Sequence, residues 1–407
     1  MARELAARGH TVHVITGFPN YPTGVLADGF HQKLRYREVI GGVHVVRVPL
    51  FVNHDRSAVH RIMNYLSFGL SATFLGVPAL PPIDVLWVNY SPITVAFPMW
   101  LQRHLHRTPT VCEVGDLWPD TIAVSGLEGA SFVGKIVGRL LGRWCNAMYS
   151  NSEAVVHISP GVGNLLRCRG VPEDKLHYIP KPANEAATTR GGRSFRAALM
   201  INPDQVVLLY AGAMGAAQNL GALVEACSIV DDPRLVVLLA GSGSEEDELR
   251  SAVTESGLTS IRFLGRLPQE VMADLLVAAD AAFISLAAHP LSAATMPSKT
   301  QQILASGRAI LVAGLGDVAA LVEENGVGFT ARPGDPESIA AGLTALLRAD
   351  RGQLAAMGLA ARSLYTSQFS VKRTSDQVEE LLAMVIRTSP WALKHHGTPT
   401  AAGRVHG

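Results

Sequence analysis

Cysteine is scarce in this chain. The four present among 407 residues, Cys112, Cys145, Cys168 and Cys227, stand far apart and form no CxxC pair. That argues against a structural zinc site and a secreted disulfide framework, and fits a reducing cytoplasm. No DxD and no histidine–acid cluster points to a metal. No GxSxG elbow marks a serine nucleophile. No uninterrupted run reaches the roughly 18 to 20 apolar residues of a membrane span. The nearest, "YLSFGLSATFLGVPALPPI" (65–83), is broken by Pro78, Pro81 and Pro82 and follows Arg56, His60 and Arg61. It reads either as a core helix or as an interfacial helix with its basic flank at lipid headgroups. The opening "MARELAARGH" is a charged amphipathic helix, not the apolar segment of a signal peptide.

Net charge is small, +1, but unevenly placed: residues 1–182 hold 17 Lys and Arg against 12 Asp and Glu, and residues 183–407 hold 18 against 22. The basic first half suits contact with anionic lipid or phosphate, or is simply a solvated face. Nucleic acid is excluded as a partner because no basic stripe is interleaved with stacking aromatics.

What the chain does have is apolar runs alternating with helical periodicity. "TVHVIT", "VHVVRVPL", "DVLWVNY" and "PTVCEVGD" in the first half, and "VVLLYAG", "RLVVLLAGSGS", "AAFISLA" and "AILVAG" in the second, read as buried parallel strands with helices between them. The fold class is therefore α/β, with two Rossmann-like doubly wound domains facing across a cleft. Residues 1–182 form the first domain, 183–388 the second and 389–407 a tail without periodicity; Pro, Thr and Gly replace the apolar pattern at the seam (179–192). The first domain starts within a helix, where a strand and glycine turn are expected. Either the start is assigned inside a longer frame, the preferred reading, or the sheet lacks its first strand.

Candidate residues lie where such strands end. "YAGAMGAAQNLGALVEA" (210–226) is a strand, a glycine turn and a helix, so that Gly212 and Gly215 could let backbone amides approach an anion; an ordinary tight turn reads the same. "RFLGRLP" places Leu264, Gly265 and Arg266 after another strand. In "MPSKTQQILASGRAIL" (296–311), Ser298 is expected to cap a helix whose first turn carries Lys299, an arrangement suited to a diphosphate, although a snorkelling lysine would look similar. "EVGDLWPDT" sets Asp116 and Trp118 after a strand, either to orient a sugar hydroxyl or as a helix cap and a core ring. "GFPNYPTG" offers Asn20 and Tyr21 as carbohydrate contacts.

In sequence, "ELAARGHTVHVITGFPNYPTG", "YLSFGLSA", "DLWPD", "VVHISPGVGNLL", "YIPKPAN", "AGAMGAAQNLGALVEA", "LLAGSGSEEDELR", "FLGRL" and "MPSKTQQILASGRAILV" form an ordered series. It resembles glycosyltransferase family 4, and within it the WbuB-like transferases that build bacterial surface polysaccharides. The resemblance implies a GT-B fold and a retaining, metal-independent transfer without a cofactor. A UDP-sugar donor, an N-acetylated amino sugar by preference, would bind the second domain. A lipid-linked saccharide acceptor would bind the first, at the inner face of the membrane. Gly212 and Gly215 would then lie at the diphosphate and sugar, Leu264, Gly265 and Arg266 near the base, Ser298 and Lys299 at the phosphates and Gln302 at the ribose. Asp116 and Lys299 would be the catalytic residues, Asp116 lining the sugar or acceptor side, and Asn20, Tyr21 and Trp118 are the acceptor-side candidates.

Departures from the family pattern matter. The basic pair usual in the turn after the second domain's first strand is replaced by Ala213 and Gln218, which shifts charge neutralisation onto Lys299 and Lys181. Gln302 stands where a carboxylate is usual. A truncated donor-binding remnant without activity, and a nucleotide-sugar epimerase on the same fold, are the alternative readings.

Overall fold

The computed structural model describes residues 1–20, 24–53, 57–120, 132–185, 192–389 and 391. Its contacts divide the chain into two units, the first comprising residues 1–158, 163–179 and those from 375 onward, the second 159–162 and 180–374.

In the first unit, α1 (Ala2–Ala7) precedes β1 (His13–Gly17), β2 (Tyr36–Ile40) and β3 (Val43–Val48). Helix α2 (Ala58–Ser71) follows and runs on through a π-helical turn, Ala72–Gly76, and a final tight turn, Val77–Ala79. Then come β4 (Leu86–Asn89), α3 (Ala96–His106), β5 (Thr110–Val114), α4 (Phe132–Ser150), β6 (Ala154–His157), α5 (Pro160–Cys168) and β7 (Leu176–Tyr178). The strands make two sheets: β1-β3-β2, with β1 parallel and β2 antiparallel to β3, and an all-parallel β4-β5-β6-β7. Among the described residues no strand joins the two sheets.

The helical run starting at α2 corrects the reading of residues 65–83. It begins earlier than the apolar stretch suggested, and Pro78 falls in its last tight turn, where a missing backbone donor costs little. Val59–Ala79 is thus 21 residues long and, by length and composition, apolar enough to cross a membrane, with 33% of its most apolar window buried.

The second unit opens with α6 (Gly192–Ala198), β8 (Val206–Ala213), α7 (Gly221–Val230), β9 (Leu235–Ser242), α8 (Glu246–Glu255), β10 (Ile261–Gly265), α9 (Gln269–Ala278) and β11 (Ala281–Ser285). It continues with α10 (Pro290–Ala293), α11 (Ser298–Ala305), β12 (Ala309–Ala313), α12 (Asp317–Glu324), β13 (Gly328–Ala331), α13 (Pro336–Arg348) and α14 (Arg351–Leu364). Its six strands form one parallel sheet, ordered β10-β9-β8-β11-β12-β13. Alternate residues feed cores on opposite faces: Leu208, Tyr210, Val237 and Leu239 on one, Val207, Leu209, Val236 and Leu238 on the other. A strand buried on both faces has no polar side, which is why these segments read as continuous apolar runs.

The last helix, α15 (Val371–Thr388), begins in the second unit, but from Ser375 onward it belongs to the first. Its Val378, Leu381 and Val385 pack with Leu5, Val111 and Val156, and Arg8 of the first unit bonds Asp376 at 2.7 Å and Glu379 at 2.5 Å. The expected extent of the second domain to residue 388 is corrected accordingly: residues 375–388 belong with the first unit. Helical periodicity shows that this segment has an apolar face without showing which core the face enters. The tail from residue 392 lies outside the described residues.

Candidate functional site

The chain runs outward from β8 to β9 and β10, then returns to place β11 on the other side of β8. Ligands of open parallel sheets bind beyond the carboxyl ends of the strands at such a reversal. Tyr210, near the end of β8, is fully buried and donates its hydroxyl hydrogen to the carbonyl of Ala213. Lys299 reaches over its ring, with Nζ 4.2 Å from the centroid. Among the described residues no carboxylate pairs with Lys299, and burial lowers its pKa from the ordinary lysine value to about 8. Gly212, with φ +149°, makes this approach feasible, because a Cβ there would stand 2.9 Å from Nζ. At Gly215 a Cβ would lie 3.3 Å from Ser244 Oγ.

Helix α11 starts differently from the expectation. Its N-cap is Pro297, at φ −59° and ψ 138°, and no side chain caps it. Ser298 is already the first helical residue, exposed, and one position too far in for a capping hydroxyl. The leading backbone N–H groups therefore have no side-chain cap, and Lys299 stands beside them. The two glutamines separate into different roles. Gln301 is 3% exposed and, with its amide turned to donate, reaches the carbonyls of Pro297 at 3.1 Å and Ser298 at 3.0 Å, so it braces its own helix. Gln302 accepts the Asn184 N–H on Oε1 at 3.2 Å, while its Nε2 is buried without a partner among the described residues. A buried amide donor left open costs stability unless a ligand takes it.

Of the remaining residues expected in this unit, Leu264 packs half-buried on the core and Gly265 ends β10 at φ +68° beside a register shift. Arg266 is exposed and donates to Ser242 Oγ at the end of β9. These groups thus sit at the carboxyl ends of neighbouring strands. Tyr210 and Asn184 were missed in the sequence, since both act through contacts that no spacing rule encodes.

In the first unit a cavity of about 410 Å³ opens at the end of β1, lined by Gly17, Asn20, Arg47, Tyr65, Phe68 and Pro92 among others. Asn20 is in its wall and donates Nδ2 to the Phe18 carbonyl at 2.8 Å. Trp118 meets the lining residue Tyr65 edge to face, with ring centroids 6.3 Å apart. Asp116 is exposed and accepts a 3.1 Å hydrogen bond from the hydroxyl of Ser91, the neighbour of Pro92. Asp120 is occupied by Arg169. Tyr21 lies outside the described residues. Among the described residues no three His, Cys, Asp or Glu side chains gather as metal ligands would.

These features coincide with comparisons to known proteins. A family model for the glycosyl transferase 4-like domain matches residues 1–182, and one for glycosyl transferases group 1 matches residues 205–349. The chain belongs to the family 4-like glycosyltransferases of GT-B fold. The transferase is 26% identical over 374 residues to the putative colanic acid biosynthesis glycosyl transferase WcaI of Escherichia coli, covering 89% of this chain and 91% of that one. It is 23% identical to the probable glycosyltransferase WbjE of Pseudomonas aeruginosa, covering 74% and 75%. Among solved structures it resembles a sucrose-phosphate synthase of Thermosynechococcus elongatus, with TM-score 0.70, 19% identity and 95% and 92% of the two chains covered. HepE of Anabaena, solved with UDP and glucose, has TM-score 0.63, 17% identity and 84% and 86% covered.

Proposed function

We propose that this transferase moves a sugar from a UDP-sugar to a lipid-linked saccharide in cell-surface polysaccharide synthesis, with retention of configuration and without a metal. The observation that carries this reading is Lys299: a mostly buried cation on an aromatic face, with no carboxylate partner among the described residues, in the first turn of α11. A departing diphosphate needs positive charge and N–H donors already in place, and this corner supplies both. Gln302, with its open buried amide, is placed to meet a ribose hydroxyl. HepE binds UDP and UDP-glucose, and WcaI is named for colanic acid biosynthesis, which supports the nucleotide and the pathway class. An N-acetylated amino sugar is the first donor to try, on the family resemblance alone.

The acceptor reading rests on α2. Asn64, Tyr65 and Phe68 of this helix line the first unit's cavity, while Val59, Ile62, Met63, Leu66, Leu70 and Phe74 form an exposed stripe at helical spacing. Phe74 is 69% exposed. A helix with sugar-pocket residues on one side and a bare apolar stripe on the other suits a saccharide presented on a lipid at an anionic membrane surface. Asn20 in the pocket wall and Asp116, bonded to Ser91 beside the lining residue Pro92, would hold acceptor hydroxyls, and Trp118 would support the sugar through Tyr65.

The test is UDP release from a panel of UDP-sugars with a polyprenyl-linked saccharide acceptor, run with and without EDTA, with the product anomer read by NMR. Acceptor-dependent UDP release that survives EDTA and retains configuration supports the reading. Release indifferent to acceptor, a C4 or C2 epimer as product, or no turnover with any donor would refute it.

A further inference from the structure

We propose that the second unit carries another ligand site, for a small organic phosphate with an apolar body, at the end of its sheet opposite the donor groups. A cavity of about 740 Å³ lies there, larger than the sugar pocket of the first unit. Three guanidinium groups line it, from Arg196 on α6, Arg308 just before β12 and Arg351 at the start of α14, and among the described residues no carboxylate lines it. The rest of the wall is apolar, with Ile201, Pro203, Val277 and Ala278 among its members.

The arginines are held by the fold largely through backbone carbonyls, with one ion pair, from Arg196. Arg196 bonds Asp280 at 3.2 Å and the Gln205 carbonyl at 2.7 Å. Asp280 also accepts the Val207 N–H at 2.7 Å, so its charge is shared. Arg308 donates to the Ala279 carbonyl at 3.2 Å, Arg351 to the carbonyl of Pro203, and Arg308 Nε is buried with no partner among the described residues. Burial pushes the Arg308 guanidinium pKa down, with Asp280 partly offsetting this and Arg196 adding to it. A half-buried cation with an open donor is stabilised by an anion, and guanidinium forks match phosphate oxygens. The apolar wall favours a phosphate that carries carbon over the bare ion. Capping the carboxyl end of α9 explains the bonds to Ala278 and Ala279, but it leaves Arg308 Nε and a cavity of this size unused.

Phenyl phosphate and inorganic phosphate are suitable probes, titrated by calorimetry into the full chain with and without UDP. The expected result is binding of phenyl phosphate below about 10 mM, tighter than inorganic phosphate and still present with UDP bound. Arg308→Gln and Arg351→Gln should each weaken it about tenfold, as for loss of a hydrogen bond to a charged group. Ala197→Trp fills the cavity from an exposed position and serves if an arginine variant fails to fold. No binding to wild type, displacement by UDP, or binding unchanged in Ala197→Trp would overturn the proposal. Because the readout needs no turnover, it stands or falls separately from the transfer assay.

Discussion

Lys299 lies over the face of Tyr210, 4.2 Å from the ring centroid, in space that Gly212 leaves open beside it. A lysine held by a ring face and desolvated by its surroundings remains available to an incoming anion in a way that a salt-bridged lysine is not. Lys299→Ala should weaken UDP binding by about 1 to 3 kcal/mol, the range for a hydrogen bond to a charged group. Equal calorimetric affinity in variant and wild type would remove Lys299 from the site.

Gly212→Ala tests the same relationship from the other side. The added methyl would sit 2.9 Å from Nζ at a φ of +149° that side chains rarely adopt. It should displace the ammonium and weaken UDP by about 1 to 2 kcal/mol, with no further loss when Lys299→Ala is combined with it. Additive losses would show that the two residues act independently.

The pKa of Lys299 gives a pH dependence of known sign. With the folded value at about 8, the side chain is charged below that pH and neutral above it, so UDP affinity should fall as pH rises from 7 to 9. For stability, the unfolded chain holds this proton more tightly than the folded one. The penalty is full below pH 8 and is relieved as pH rises toward the ordinary lysine value of 10.5. Lys299→Met should therefore raise the melting temperature at pH 7 while it weakens UDP. A lower melting temperature would contradict the desolvation argument.

Gln302→Glu should keep an acceptor for the Asn184 N–H and replace the amide, partnerless among the described residues, with a second oxygen that on the proposed reading would meet the ribose. Tighter UDP binding by about 0.5 to 1.5 kcal/mol is expected. Unchanged affinity for both UDP and UMP would return Gln302 to a purely structural role.

The exposed stripe of α2 can be removed without touching the pocket. Leu66→Glu combined with Leu70→Glu replaces two exposed side chains and should abolish sedimentation with phosphatidylglycerol vesicles while far-ultraviolet circular dichroism stays the same. Undiminished vesicle binding would disconnect α2 from the membrane.

Much of this protein was determined by its sequence alone. Strands such as β8, β9 and β12 are legible because burial on both faces forces continuous apolar runs, and the glycine near the end of β8 is legible because Gly212 holds a backbone that side chains rarely adopt. Lys299 and Gln302 were legible as candidates from their place at a helix start. Tertiary structure decided what they do. The ring beneath Lys299, the Asn184 N–H on Gln302 and the return of α15 to the first unit all join residues far apart in the chain. Periodicity reports which face of an element is apolar, and packing alone selects the surface that face meets.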